Sequence, residues 1–291
     1  MSSAPSAVAP QTQSTGKPRL QGGRRIGETR QWDSDKPRIT VVTVVFNCVE
    51  SIEHTILNII GQSYSNIEYI VVDGGSTDGT LEVIKKYETH IDLWISEKDK
   101  GIYNAMNKGI DLSTGDWINF MNAGDHFHSS KTVEQVAPHL DNRYGVVAGA
   151  VRYIYDENNA RIKHMRPKFT GFYLEVPHHQ ASFINNRLMK HHKYDESFRI
   201  RGDLNFMIAL HADGQEISMI DEVICDVDTN GVSSGLSKVH VSEEIRAGKL
   251  VIKNYGVKCI AYHAAHVIPR LLLRKMLPKR VESKVRSLIK R

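Results

Sequence analysis

The chain has 291 residues, 41% hydrophobic and 24% charged, enough for a sizeable core and ordinary for a globular protein. Its net charge of +5 sits at the ends, with nine Lys/Arg against Glu282 alone in residues 262–291 and six against three acids in residues 1–36. The stretch between is therefore net acidic, and no nucleic-acid partner is expected for the body.

Three scattered cysteines, Cys48, Cys225 and Cys259, form no CxxC pair, which argues against a disulfide framework or a cysteine zinc site. No secretory leader and no apolar run of roughly 20 residues is evident, so a cytoplasmic protein is expected. Residues 1–36, rich in Ser, Pro, Gln and Gly, read as a disordered tail.

From residue 38 strands and helices alternate. RITVVTVVF (38–46) is a β-branched run suited to a strand buried on both faces. Ile52, Ile56, Ile59 and Ile60 then share one helical face, with Ser51 as the N-cap. IEYIVVD (67–73) is a second strand, followed by a helix carrying Leu81, Ile84 and Tyr87 that Thr77 would cap. IDLWIS (91–96) is a third, and the helix after Gly101 aligns Ile102, Ala105, Met106 and Ile110. DWINFM (116–121) is a fourth. Repeated βα units imply a parallel sheet with helices on both faces and ligands beyond the carboxyl ends of the strands. After about residue 145 the rhythm breaks into strands near 145–155 and 180–184 and helices near 203–212 and 239–256. This mixed half is expected to pack onto the same sheet.

Polar residues collect at the predicted strand ends. Thr43 to Asn47 closes the first strand. Asp73 opens DGGSTDG, where a carboxylate suits a base or ribose and glycines let a ligand approach the backbone; a turn plus a helix cap explains the same residues. Lys100, in EKDKG, is placed to meet a diphosphate, although a solvated charge run is the commoner meaning. Asn122, Gly124 and Asp125 follow the fourth strand, and a lone carboxylate there suits a divalent ion completed by phosphate and water. Asp203, after Arg199 and Arg201, reads either as a general base or as a helix N-cap.

In order, TVVFN, VDGGSTDGT, EKDKGIYNAMNKGI, MNAGD, HHQASF and YDESFRIRGD resemble family 2 glycosyltransferases of the GT-A fold, over roughly residues 38–245. The likeness is to bacterial members that build exopolysaccharide, O-antigen or glycolipid glycans. It implies an α/β, Rossmann-like, mostly parallel sheet over residues 37–257, with a nucleotide-sugar half (37–128) and a mixed acceptor half (129–257). Thr43 and Val45 would line the base pocket, and Asp73 would bind the base or ribose. Asp125 would hold Mn2+ or Mg2+, with Gly124 standing where many members have a second Asp. Asp203 would be the base, with Gly202 in place of the usual Glu. His179 and Gln180 match a His-Gln pair below the acceptor site, and residues 230–234, with Gly231 and Ser233, match a closing loop.

The reaction so implied is inverting transfer from a nucleotide-diphosphate sugar to a hydroxyl of a glycan or lipid-linked acceptor. Two readings stay beside it: a sugar nucleotidyltransferase, and a non-catalytic nucleotide-sugar binder. A dinucleotide oxidoreductase fits poorly, because FNCVES stands where GxGxxG is needed. The paired histidines at 178/179 and 191/192 lack a zinc-site spacing. Residues 258–291 mix Leu271, Leu272, Leu273 and Met276 with basic residues, and read as an amphipathic tail that meets an anionic membrane surface from the cytoplasmic side.

Overall fold

Two seven-residue strands set the centre of the fold. β2 (Ile39–Val45) and β3 (Ile67–Asp73) are buried along their whole length and pair in parallel, as their β-branched sequences require. The computed structural model describes residues 19–27, 30–156, 159–169, 172, 174–228 and 237–270. β4 (Leu93–Ser96) and β5 (Trp117–Phe120) flank the pair in parallel, giving the order β4-β3-β2-β5. The chain therefore reverses its direction of winding at β2, and the carboxyl ends of β2 and β5 open side by side.

The second half extends the same sheet. β11 (Ser182–Asn185) runs antiparallel to β5 and to β7 (Val146–Asp156). β12 (Ile217–Asp228) pairs β7 in parallel, and β6 (His126–Phe127) closes that edge. β8 (Asn159–Lys163) pairs β7, while β9 (Lys168–Phe169) and β10 (Leu174–Glu175) form a separate ribbon. The mixed α/β architecture matches the expected fold class.

Helices cover both faces. On one, α1 (Val49–Ile60) buries Ile52, Ile56 and Ile59 and α2 (Thr80–Lys86) buries Ile84, beside α4 (Thr132–Val136). On the other, α3 (Ile102–Leu112) buries Ala105, Met106 and Ile110 with α5 (Asn186–His192) and α6 (Gly202–Ala212). Each fully buried Ile contributes roughly 1.5–3 kcal/mol, so these stripes fix which face each helix covers. α7 (Lys238–Gly248) and α8 (Tyr255–Tyr262) follow, dividing the single helix expected over 239–256.

Two capping expectations are corrected. Ser51 lies inside the first turn of α1, whose start is held by Asp78 Oδ2 on the Val49 N–H (3.1 Å) and Thr80 Oγ1 on the Cys48 N–H (3.0 Å). Thr77 precedes α2, and Asp78 Oδ1 takes the Thr80 N–H at 3.0 Å instead. One aspartate thus ties two helix starts together, a pairing no local pattern shows.

The tail boundary at residue 36 is also corrected. β1 (Leu20–Gly22) pairs antiparallel with β4 and forms the sheet edge. Beyond it Arg24 and Arg30 reach the buried Asp92 (3.1 and 3.2 Å), and Arg25 reaches the buried Glu68 (3.2 Å). A composition poor in apolar residues hid these contacts, because the arm is held by charge rather than by hydrophobic burial. Residues 1–18 lie outside the described residues.

Candidate active site

β3 delivers Asp73 to the carboxyl edge of the sheet, where it is fully buried. Its carboxylate accepts the hydroxyls of Ser76 and Ser96, each at 2.5 Å, and the Ser76 N–H at 3.2 Å. Gly75 and Gly79 take φ of 84° and 100°, which closes the DGGSTDG turn. Asp73 therefore holds the turn together, at the edge where it was expected to meet a base or ribose. The partly exposed carboxylate beside it is Asp99, which lies against Gly74 and accepts the Gly101 N–H at 3.0 Å. Burial holds the Asp99 carboxyl above its ordinary value, and the Asp73 charge adds to the effect.

Thr43 and Val45, expected beside the base, are both buried. Thr43 is fully buried, its hydroxyl donating to the Met121 carbonyl (2.7 Å) and bonded to the Tyr69 hydroxyl (3.1 Å). Val45 is 5% exposed and belongs to the core under α1. Alternation along the strand aims both at the helix layer. The exposed side chain at this strand end is Phe46, 61% exposed and next to Gly74, which the sequence reading did not single out. Lys100 is exposed, and its charge acts on Glu196, whose carboxyl is held below its ordinary value chiefly by the Asn107 amide.

Beyond β5, Asn122, Gly124 and Asp125 form a turn in which Thr55 Oγ1 accepts the Gly124 N–H (3.0 Å). Asp125 accepts Gln180 Nε2 at 3.0 Å. Burial raises its carboxyl above the ordinary value, against the opposing pull of the Gln180 amide and of His179 and His126. Next to Gln180, His179 reaches two ways: Nε2 lies 3.2 Å from Asn122 Nδ2, and Nδ1 lies 3.4 Å from Asp203 Oδ2. The consecutive pair His179-Gln180 thus joins Asp203 to the Asn122–Asp125 turn. Asn119 on β5 fixes that pair, donating at 3.0 Å to the carbonyls of Gln180 and Ser182.

Asp203 opens α6, a third exposed, and also accepts the Leu204 N–H at 2.8 Å. Burial would raise its carboxyl, but His179, Arg201 and the Leu204 N–H together bring it down to about 2. The loop before it is anchored by Glu243 on α7, whose carboxylate takes the N–H groups of Arg199, Ile200 and Arg201 at 2.8–2.9 Å. Tyr103 on α3 takes the Gly202 N–H at 2.8 Å. A Cβ at residue 202 would meet the Tyr103 ring at 2.6 Å, so a side chain here needs the ring to move.

Arg201, just before Asp203, has partners of its own. Its guanidinium contacts His240 and pairs with Glu244 at 3.3 Å. Glu244, Cys259 and His263 group as buried ligand types within 4.8 Å, and Arg201 already supplies a cation to that carboxylate. Gly231 and Ser233 of the expected closing loop lie outside the described residues.

The Glycosyl transferase family 2 profile matches residues 40–206, more than half of the chain. The chain belongs to this family. An uncharacterised glycosyltransferase of Mycobacterium tuberculosis is 33% identical over 205 residues, covering 68% of this chain and 78% of the relative. A Mycobacterium bovis glycosyltransferase of PGL/p-HBAD biosynthesis is 34% identical over 104 residues, 35% of this chain and 38% of its own. Among solved structures, Staphylococcus aureus TarS 1–349 with UDP-GlcNAc superposes with a TM-score of 0.60 at 15% identity, over 79% of this chain and 73% of that one. The mannosyltransferase PcManGT of Pyrobaculum calidifontis, with GDP-Man and Mn2+, gives 0.54 at 16% identity over 91% and 92%. These superpositions show the GT-A fold, and the family match makes this protein a glycosyltransferase.

The donor set of this glycosyltransferase fits a hard divalent cation. Asn122 Oδ1 and Gln180 Oε1 are buried without a hydrogen-bond partner among the described residues, and both side chains belong to the group around Asp125. One carboxylate with neutral oxygens is typical where phosphate oxygens and water complete the shell.

Proposed function

We propose that this protein moves a sugar from a nucleoside-diphosphate donor, with inversion, to a hydroxyl of a glycan or lipid-linked acceptor in cell-surface polysaccharide or glycolipid synthesis. The observation that carries the reading is the His179-Gln180 bridge, which puts Asp203 and Asp125 at two ends of one side-chain chain. Mn2+ or Mg2+ at Asp125, with Asn122 and Gln180 as further oxygen donors, would neutralise charge on the departing diphosphate. Asp203, ionised at neutral pH, takes the acceptor hydroxyl proton as the oxygen bonds the anomeric carbon. The electron pair of the breaking C–O bond leaves on the nucleotide. Phe46 offers a ring to the base, and Asp99 with the Gly74–Gly75 backbone borders the nucleotide on the turn that Asp73 holds.

The ligands named for TarS and PcManGT, and the glycolipid pathway named for the mycobacterial relative, support the donor and acceptor classes. A thermal-shift screen of UDP, GDP and dTDP with and without Mn2+ identifies the base, since a ligand that binds only the folded state raises the midpoint. Donor labelled in the sugar then separates sugar transfer from nucleotidyl transfer, and the anomeric coupling of the product reads inversion. Label recovered in the sugar 1-phosphate, with the nucleotide passed to another acceptor, overturns the proposal.

A further inference from the structure

Residues 245–281 contain no aspartate or glutamate but nine lysines and arginines, and residues 282–291 add four more against Glu282. α8 lies inside this acid-free stretch and has two different faces. Its inner face packs on α7: Tyr255 donates to Glu244 at 3.1 Å, and His263 Nε2 lies 3.7 Å from the same carboxylate. Tyr255 and Cys259 are fully buried. The outer face is apolar and open to solvent. Val257 is 75% exposed and Ile260 57%, with Ala261 exposed beside them; in the π-helical turn that continues α8 (His263–Val267) Ala264 and Ala265 are exposed, and Ile268 after it is 43% exposed. Leu250, in the turn before α8, is 56% exposed, and the neighbouring Lys249 and Lys253 are exposed too.

Water does not favour such a surface, and neither does a second copy of the chain. Pairing two of these faces would oppose two strips that carry only positive charge. An interface that accepts aliphatic side chains while offering negative charge to the lysines and arginines around them satisfies both halves of the pattern. We propose that the outer face of α8, with the turn that continues it, lies on an anionic membrane surface. Among the described residues no helix is long and apolar enough to cross a membrane, in keeping with a helix lying in the interface.

The position has a consequence for the transferase. α7 holds the Asp203 loop through Glu243 and Glu244, and α8 holds α7 through Tyr255 and His263. A docked α8 therefore brings the Asp203 loop to within two helices of the lipid, where a lipid-linked acceptor presents its head group. This use of docking rests on the transferase reading; the docking itself does not.

The test is sedimentation of the full chain with vesicles of phosphatidylcholine, alone or with about 30% phosphatidylglycerol. Binding at least about tenfold stronger to the anionic vesicles, weakened by salt, is expected. Val257→Asp with Ile260→Asp should reduce that binding by about tenfold or more, because aspartate at the interface adds repulsion to lost insertion. Lys253→Glu with Lys258→Glu should act in the same direction. All four sites are on the surface or near it, and unchanged nucleotide binding in calorimetry shows that both variants are folded. Equal binding of wild type and the aspartate variant, or no wild-type preference for anionic vesicles, overturns the proposal. So does a wild-type dimer in sedimentation velocity that the aspartate variant dissolves. If nucleotide binding fails while vesicle binding persists, the transferase reading fails and the docking stands.

Discussion

Asp125 and Asp203 sit at opposite ends of the His179-Gln180 bridge, in surroundings that push their carboxyls apart. Burial dominates at Asp125 and raises it, whereas His179 and Arg201 overcome burial at Asp203 and bring it to about 2. Asp125→Asn removes a charge that burial disfavours and keeps an acceptor for Gln180. The variant is therefore expected to unfold at the same temperature or higher, while losing the metal-dependent part of nucleotide binding; melting curves with and without UDP and Mn2+ read both. Asp203→Asn should lower kcat by roughly 10²–10⁴ with donor affinity nearly unchanged. Loss of donor binding together with kcat would make Asp203 a structural residue. Gln180→Leu strips an amide from Asp125, and an approximately 10–100-fold weaker metal-dependent affinity is expected by calorimetry. The aspartates at strand ends, Asp73 and Asp125, were legible in sequence because each closes an apolar run, although only the fold shows that Asp73 holds its own turn. The burial of Thr43 and Val45 was not, since a strand buried on both faces does not reveal which face meets the ligand.

Gly202 shows how one element constrains another. The Tyr103 ring from α3 fills the space a side chain at residue 202 would need, and the Tyr103 hydroxyl takes the Gly202 N–H. Gly202→Ala is therefore expected to cost about 1–3 kcal/mol by overpacking, measured by urea denaturation. Gly202→Ala with the Tyr103 ring trimmed to Leu should recover part of that loss; no recovery would mean the clash is relieved elsewhere. At the other end of the fold, the N-terminal arm neutralises Asp92 and Glu68, which are 3% and 1% exposed. Deleting residues 1–30 leaves these carboxylates buried without their arginines, and a loss of about 3 kcal/mol or more is expected. An unchanged denaturation midpoint would reduce the arm to an ornament of the sheet edge. Helix periodicity placed α1, α2 and α3 near their observed positions, but the starts of α1 and α2 are held by Asp78 and Thr80. Pairings of that kind are set by tertiary approach, so Ser51 and Thr77 looked like caps and are not.

Across the whole molecule, acid stability follows from carboxyls that the fold holds low. Asp226, despite burial, is held low by His126, Arg152 and His128, and Asp203 lies at about 2. A folded carboxyl below the unfolded value of about 3.9 contributes stability that is complete above that pH and disappears as pH falls toward the folded value. Chemical denaturation from pH 5 to pH 2 should show this decline, and Asp226→Asn should flatten part of it. The sequence by itself determined the glycosyltransferase family, the order of the central βα units, the strand-end position of Asp125 and the helix-start position of Asp203. These properties are local: hydrophobic period, chain order and motif spacing are all written along one dimension. Only the tertiary structure decided that Asp73 holds its own turn, that Arg201 is paired with Glu244, and that residues 20–27 and 30–36 belong to the body. It alone joined Asp125 to Asp203 through His179 and Gln180, residues more than twenty positions from the nearer aspartate. Hydrogen-bond partners so far apart in sequence are chosen by which strands become neighbours, and burial then determines which polar groups remain free to meet a ligand.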